Sequence, residues 1–279
     1  MNALTAAFTG LGDKLAAHVL LSTSALALGL FLALPLSVWS SRSPRVAAVS
    51  LGLASLIQTI PGLALLALFY PILVSLGALT GLAIPALGFV PALLALTLYA
   101  LLPILRNAVT ARQRMDHEVL EAADALGMTS WQKLRLVEIP LALPYIVAGI
   151  RTAVVWTVGA ATLATMVGQP SLGDPIFAGL QIQNWSLVLA GCSLAAALAL
   201  AVDTLIGQIE TGLITRQKWR MLLAGGAITL GIFASILAVY IPGQGDRPRV
   251  VIGAKNFSEQ FILARLIGHR LEDQGYRVE

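Results

Sequence analysis

The sequence predicts an all-α polytopic membrane protein that runs, near its C-terminus, into the opening of a small α/β unit. Three observations carry this. Of the 279 residues, 57% are hydrophobic and only 11% charged, against about 25% charged in soluble globular domains, and the mean hydropathy is +0.83. Six apolar stretches are long enough to cross a bilayer, which takes about 20 residues of helix. After Pro242-Gly243-Gln244-Gly245-Asp246, a linker composition, the pattern changes to a strand, an amphipathic helix and a second strand.

The first span is predicted over His18–Trp39. The residues before it hold Asp13 and Lys14 and lack a basic leader with a short apolar core and cleavage site, so the run reads as a retained membrane helix. The second, Val46–Ile72, contains Pro61-Gly62, and the third, Phe89–Leu105, contains Pro91 and Pro103. Proline is tolerated where neighbouring helices satisfy the freed backbone groups. Gly77–Pro85 is too short and broken to span and reads as a re-entrant or surface connection. Leu141–Val167, Ser186–Ile209 and Met221–Ile241 complete the six. Cys192 is the single cysteine, so no intrachain disulfide or thiolate metal site is expected.

The net charge of +4 does not point to nucleic acid, because the basic residues fall in short clusters without aromatic interleaving. Alternate loops hold Arg42 and Arg45, then Arg106, Arg112, Arg114, Lys133 and Arg135, then Arg216, Lys218 and Arg220. Up to Tyr240 the opposite side has only Lys14, with Arg151 just inside the fourth span. Basic loops stay in the cytoplasm, so the N-terminus and the segment after Ile241 are expected outside. Asp203 lies in the fifth span less than two turns from Glu210, and snorkelling or pairing at the interface is expected of it. Asp174 falls in a short external loop, where solvation accounts for it.

The loop from Arg106 to Pro140 is the most charged part of the membrane domain. Glu118–Leu126 reads as a short helix ended by Gly127, a residue suited to the left-handed conformation. Thr129 opens a second helix, with Gln132 three residues on as a capping box, and Pro140 is expected to stop it. The result is a compact knob whose apolar surface comes from Val119, Ala122, Ala123, Leu126, Met128 and Trp131.

Glu121-Ala122-Ala123, then Gly127, then Val137-Glu138-Ile139-Pro140 resembles the "EAA" loop of binding-protein-dependent import permeases. Gln58-Thr59-Ile60-Pro61-Gly62-Leu63-Ala64-Leu65-Leu66 and Leu98-Tyr99-Ala100-Leu101-Leu102-Pro103-Ile104-Leu105-Arg106-Asn107 are similar to the permeases of osmoprotectant importers for glycine betaine, carnitine and choline. The likeness runs from about Ser22 to Glu210. It implies a type I ABC importer permease fold, a bacterial inner-membrane location and a cytoplasmic ATPase whose groove receives the loop. It further implies that ATP and Mg are bound by that partner, with no cofactor in this chain, and that the chain forms a homodimer around a central pathway. Gln58, beside the Pro61 break, either lines that pathway or staples two helices.

In the tail, Val250–Gly253 reads as a strand, Phe261–Gln274 as a helix and Tyr276–Val278 as a second strand. Val251-Ile252-Gly253-Ala254-Lys255-Asn256-Phe257-Ser258-Glu259-Gln260 resembles the first strand and loop of periplasmic binding domains in the same systems. That likeness implies a quaternary ammonium ligand. Asn256, Ser258 and Gln260 would then hydrogen-bond it or pin the loop to the hinge. The expected organisation is an external segment over 1–17 and a permease core over 18–213. An added membrane helix with its linker follows over 214–245, then an incomplete substrate-binding domain over 246–279. The chain is then a fragment of a longer fusion or a truncated product.

A secondary transporter would more often show an inverted repeat or intramembrane charges, and the sequence shows no repeat and no charge pair. A membrane enzyme is not indicated: His18, His117 and His269 are scattered, and no catalytic or metal-ligand spacing is present. An importer for another small polar solute, such as an amino acid, remains the alternative to the osmoprotectant reading.

Overall fold

The computed structural model describes residues 8, 10–240, 249–250, 252–253, 258–274 and 276–278. The chain divides into two compact units, Met1–Ile236 and Leu237–Glu279. In the first, α1 (Gly12–Arg42) leads through Ser43 into α2 (Pro44–Thr59), then α3 (Gly62–Thr80) and α4 (Phe89–Gln113). Two short helices, α5 (His117–Ala125) and α6 (Ser130–Lys133), precede a widened π-helical turn at Leu134–Glu138. There follow α7 (Ile139–Ala161), a 3₁₀ turn at Thr162–Val167, α8 (Gly173–Gln181), α9 (Trp185–Ile214) and α10 (Lys218–Tyr240).

Six helical segments are long and apolar enough to cross a membrane, among them Gly62–Thr80 and the continuous run Ser130–Val167. The protein is a multi-pass membrane protein. The second span differs from expectation. Val46–Ile72 is not one helix, because Ile60 and Pro61 adopt extended backbone (ψ 125° and 138°) between α2 and α3. Proline lacks the N–H that would continue the ladder and biases the residue before it away from helix. α3 instead carries on to Thr80 and takes up the first part of the predicted connection.

The helix α4 is the centre of this unit, packed along α1 and α7 and also against α2 and α3. Small residues set the approach, as in membrane bundles where backbones meet closely. A Cβ on Gly29 would lie 3.0 Å from the Ala100 Cβ, and one on Gly149 would lie 2.8 Å from the Asn107 Cβ. One cluster of buried residues joins Leu21, Leu65, Leu66, Ala92, Leu96 and Ala164; another joins Val147, Val154, Val158 and Ile206 between α7 and α9. The two ends of the bundle are marked by contacts. Arg42, Arg112, Lys133 and Glu138 line one cavity, and the Gly88 N–H donates to the Val167 carbonyl at 2.7 Å at the other end.

In the second unit, β1 (Arg249–Val250) and β2 (Arg277–Val278) pair in parallel, with α11 (Ser258–Asp273) between them in sequence. This agrees with the expected strand–helix–strand order.

Candidate functional site: the charged loop and the helix break

Local capping builds the loop. The Asp116 side chain accepts the Glu118 N–H at 3.0 Å and opens α5. At the other end the Gly127 N–H donates to the Asp124 carbonyl at 2.9 Å and the Met128 N–H to the Ala123 carbonyl at 3.2 Å. This pair of bonds is a Schellman motif, which needs a left-handed residue at its corner, and Gly127 supplies φ +70°. The Thr129–Gln132 capping box is present, with Thr129 Oγ1 accepting the Gln132 N–H at 3.3 Å and Gln132 Oε1 accepting the Thr129 N–H at 2.8 Å. Lys133 Nζ reaches both Asp124 oxygens at 2.6 and 2.8 Å and ties the two short helices together.

Two expectations for this loop are corrected. Ala123 is buried rather than part of the apolar surface, as is Leu120, because the Schellman turn folds Met128 back beside Ala123. Leu126 and Trp131 do face out, 77% and 66% exposed, and Glu121 and Ala122 are exposed beside them. Pro140 does not stop the helix. A proline inside a helix collides with the carbonyl four residues back. Here the preceding turn is widened, with the Ile139 N–H bonded five residues back to the Leu134 carbonyl, so the backbone passes Pro140 and continues. Val137 lies in that wide turn and Ile139 begins α7. Glu138 pairs with Arg112 at 3.5 Å.

At the break between α2 and α3, the Tyr99 hydroxyl donates to the Ile60 carbonyl at 2.6 Å, and Gln58 Nε2 donates to the Tyr99 carbonyl at 3.3 Å. The interrupted backbone is thus held to α4 from both sides of one residue. A Cβ on Gly62 would meet Leu163 at 2.9 Å, so Pro61-Gly62 also admits the 3₁₀ turn beside it.

A family model described as "Binding-protein-dependent transport system inner membrane component" matches residues 25–220. The chain belongs to this family. It is 39% identical, over 71% of its length and 85% of the relative's, to the glycine betaine/carnitine/choline transport system permease protein OpuCB of Bacillus subtilis. It is 38% identical, over 69% of this chain and 83% of the relative, to the choline transport system permease protein OpuBB of the same organism. It is also 37% identical to the osmoprotectant import permease protein OsmW of Salmonella typhimurium, over 69% of this chain and 86% of the relative. In fold it resembles a chain of the MetNI methionine ABC transporter in an inward-facing form, with a TM-score of 0.62 and 21% identity, over 76% of this chain and 99% of that one.

In this membrane component Asp203 is paired, the second of the two roles expected of it, and the partner that the sequence did not identify is Arg151. Arg151 Nε and Nη2 lie 2.6 and 2.7 Å from the two Asp203 carboxylate oxygens, and Arg151 Nη1 lies 3.4 Å from Glu210 Oε2. The bidentate form is the strongest that such a pair takes, and it supplies the intramembrane charge pair that the sequence did not reveal. A signal was available: equal numbers of residues separate Arg151 from Glu138 and Asp203 from Arg216, which puts opposite charges at matched depth in antiparallel spans. Asp174 is likewise more than a solvated loop residue, since it accepts from Thr165 Oγ1 at 2.6 Å and pairs with Lys14 at 3.4 Å. His18, fully buried, bonds the Val158 carbonyl at 3.0 Å and takes the Leu172 N–H at 3.3 Å. Of the tail residues, Ser258 and Gln260 fall in the first turn of α11, and Asn256 lies outside the described residues.

Proposed function

We propose that this chain is the membrane-spanning permease subunit of an ATP-driven importer for quaternary ammonium osmoprotectants: choline, glycine betaine, carnitine or a related betaine. The observation that carries the reading is a rigid two-helix knob with exposed apolar side chains that runs without a break into the spanning helix Ser130–Val167. The relatives whose names specify such permeases support the substrate class.

The knob, with Glu121 and Ala122 outward and Gly127 at its corner, seats in a groove of a cytoplasmic ATPase that binds the ATP and Mg. Exposed apolar groups beside charged ones suit such a seat. The Schellman turn and the Lys133–Asp124 pair keep the knob from absorbing the push. Motion imposed at Trp131 therefore enters α7 through the wide turn, where Val137, Ile139 and Pro140 sit. The basic ends of the helices face the cytoplasm, and the N-terminus and the tail face outside the inner membrane. Two copies form a homodimer, one knob for each ATPase site, with Gln58 and Pro61 beside the central pathway. Asn256, Ser258 and Gln260 contact the ligand in an external binding domain that includes 246–279, while 18–213 form the permease core.

The test is uptake by proteoliposomes holding this chain, its ATPase and the external domain. Labelled choline, glycine betaine and carnitine are compared with their dimethylamine analogues and with amino acids. Uptake that needs ATP and prefers the quaternary group is expected, since a cation without N–H groups is selected by aromatic faces. Equal uptake of polar amino acids would reject the substrate class.

A further inference from the structure

Arg151 and Asp203 sit well inside α7 and α9, with Glu210 nearer the end of α9, and all three side chains are partly exposed on one face of the pair. We propose that this face of α7 and α9 lines the water-filled passage for the substrate, an assignment that rests on the import reading above. Depth is the first reason. Uncharged residues run from Ile139 to Ile150 before Arg151 and from Trp185 to Val202 before Asp203. At 1.5 Å per residue, about 20 Å of helix separates Arg151 from Glu138.

The second reason is that the charges are locked there. With two of its nitrogens bonded to Asp203 and the third 3.4 Å from Glu210, the guanidinium is held between the two carboxylates. Yet the three side chains are 41%, 25% and 23% exposed and open on a cavity of about 410 Å³ that Thr152 and Trp156 also line. Ion pairs held at that depth face a bundle interior or water rather than hydrocarbon.

The third reason is charge balance. One cation against two carboxylates leaves the face net negative. Two copies related by a two-fold axis would oppose like charges, which disfavours a dry contact between them and favours a hydrated gap.

The experiment uses the permease assembled with its ATPase in open membrane fragments, in a Cys192→Ser background. Thr152→Cys and Ala148→Cys, both lining the cavity, are compared with Leu230→Cys on the exposed apolar side of α10. A charged methanethiosulfonate reagent is expected to modify the two cavity positions about tenfold faster than Leu230→Cys, because the reagent stays in water. Reaction of the cavity positions with an apolar maleimide alone would place the face in lipid. Spontaneous disulfide linkage to a second copy, without reaction with the charged reagent, would make it a dry interface; either result overturns the proposal. ATP hydrolysis is read in the same fragments, and loss of its response to substrate counts against the import reading without altering the accessibility result.

Discussion

Gly173 opens α8 where the chain turns back beside the 3₁₀ turn, and a Cβ there would collide with the Thr162 carbonyl oxygen. No side-chain rotation relieves a clash with backbone. Gly173→Ala is expected to collapse the yield of folded protein in detergent, measured as the monodisperse fraction after size-exclusion chromatography. Tyr99→Phe is milder. It removes the donor to the Ile60 carbonyl and should cost about 1 kcal/mol, read as a lower thermal midpoint, with the main-chain break unchanged. Single residues were legible where their role is local. Gly127 and the Thr129–Gln132 box follow from caps that involve only neighbours in sequence. Arg151 was not assigned because its partner lies on another helix, and burial of Ala123 depends on how the turn after it folds back.

Among the elements, the two prolines that interrupt apolar runs behave oppositely, and the difference lies in what surrounds each. Pro61 breaks its span, since Tyr99 and Gln58 are placed to hold the broken strand of backbone. Pro140 is carried through, since the turn before it widens to bond Ile139 to Leu134. Sequence pattern located both prolines but does not encode the partner of the first or the register of the second. The knob itself was readable because charge, caps and glycine all act within it. Its outward face makes a prediction: Trp131→Ala, at a side chain 66% exposed, should leave folding unchanged. It should weaken association with the ATPase about tenfold, as truncation of an exposed aromatic anchor does, measured by co-purification under graded detergent. Retained association would remove Trp131 from the contact.

At the scale of the whole molecule, the proposed orientation puts the basic end of the bundle in the cytoplasm. In a Cys192→Ser background, Ser130→Cys should be shielded from impermeant thiol reagents in intact cells, and Gln244→Cys should be labelled. The reverse pattern would invert the topology and detach the knob from any cytoplasmic ATPase. The central claim is that the knob transmits ATP-driven motion into α7. It is tested most directly by ATP hydrolysis of the reconstituted complex, with and without substrate, for the native chain and for Gly127→Val. A β-branched residue at φ +70° is strained by about 1–2 kcal/mol and displaces the corner, while insertion into the membrane is unaffected. Substrate should stimulate hydrolysis by the native complex and fail to stimulate it in Gly127→Val, with uptake falling in parallel. Equal stimulation and equal uptake in the two complexes would contradict the account.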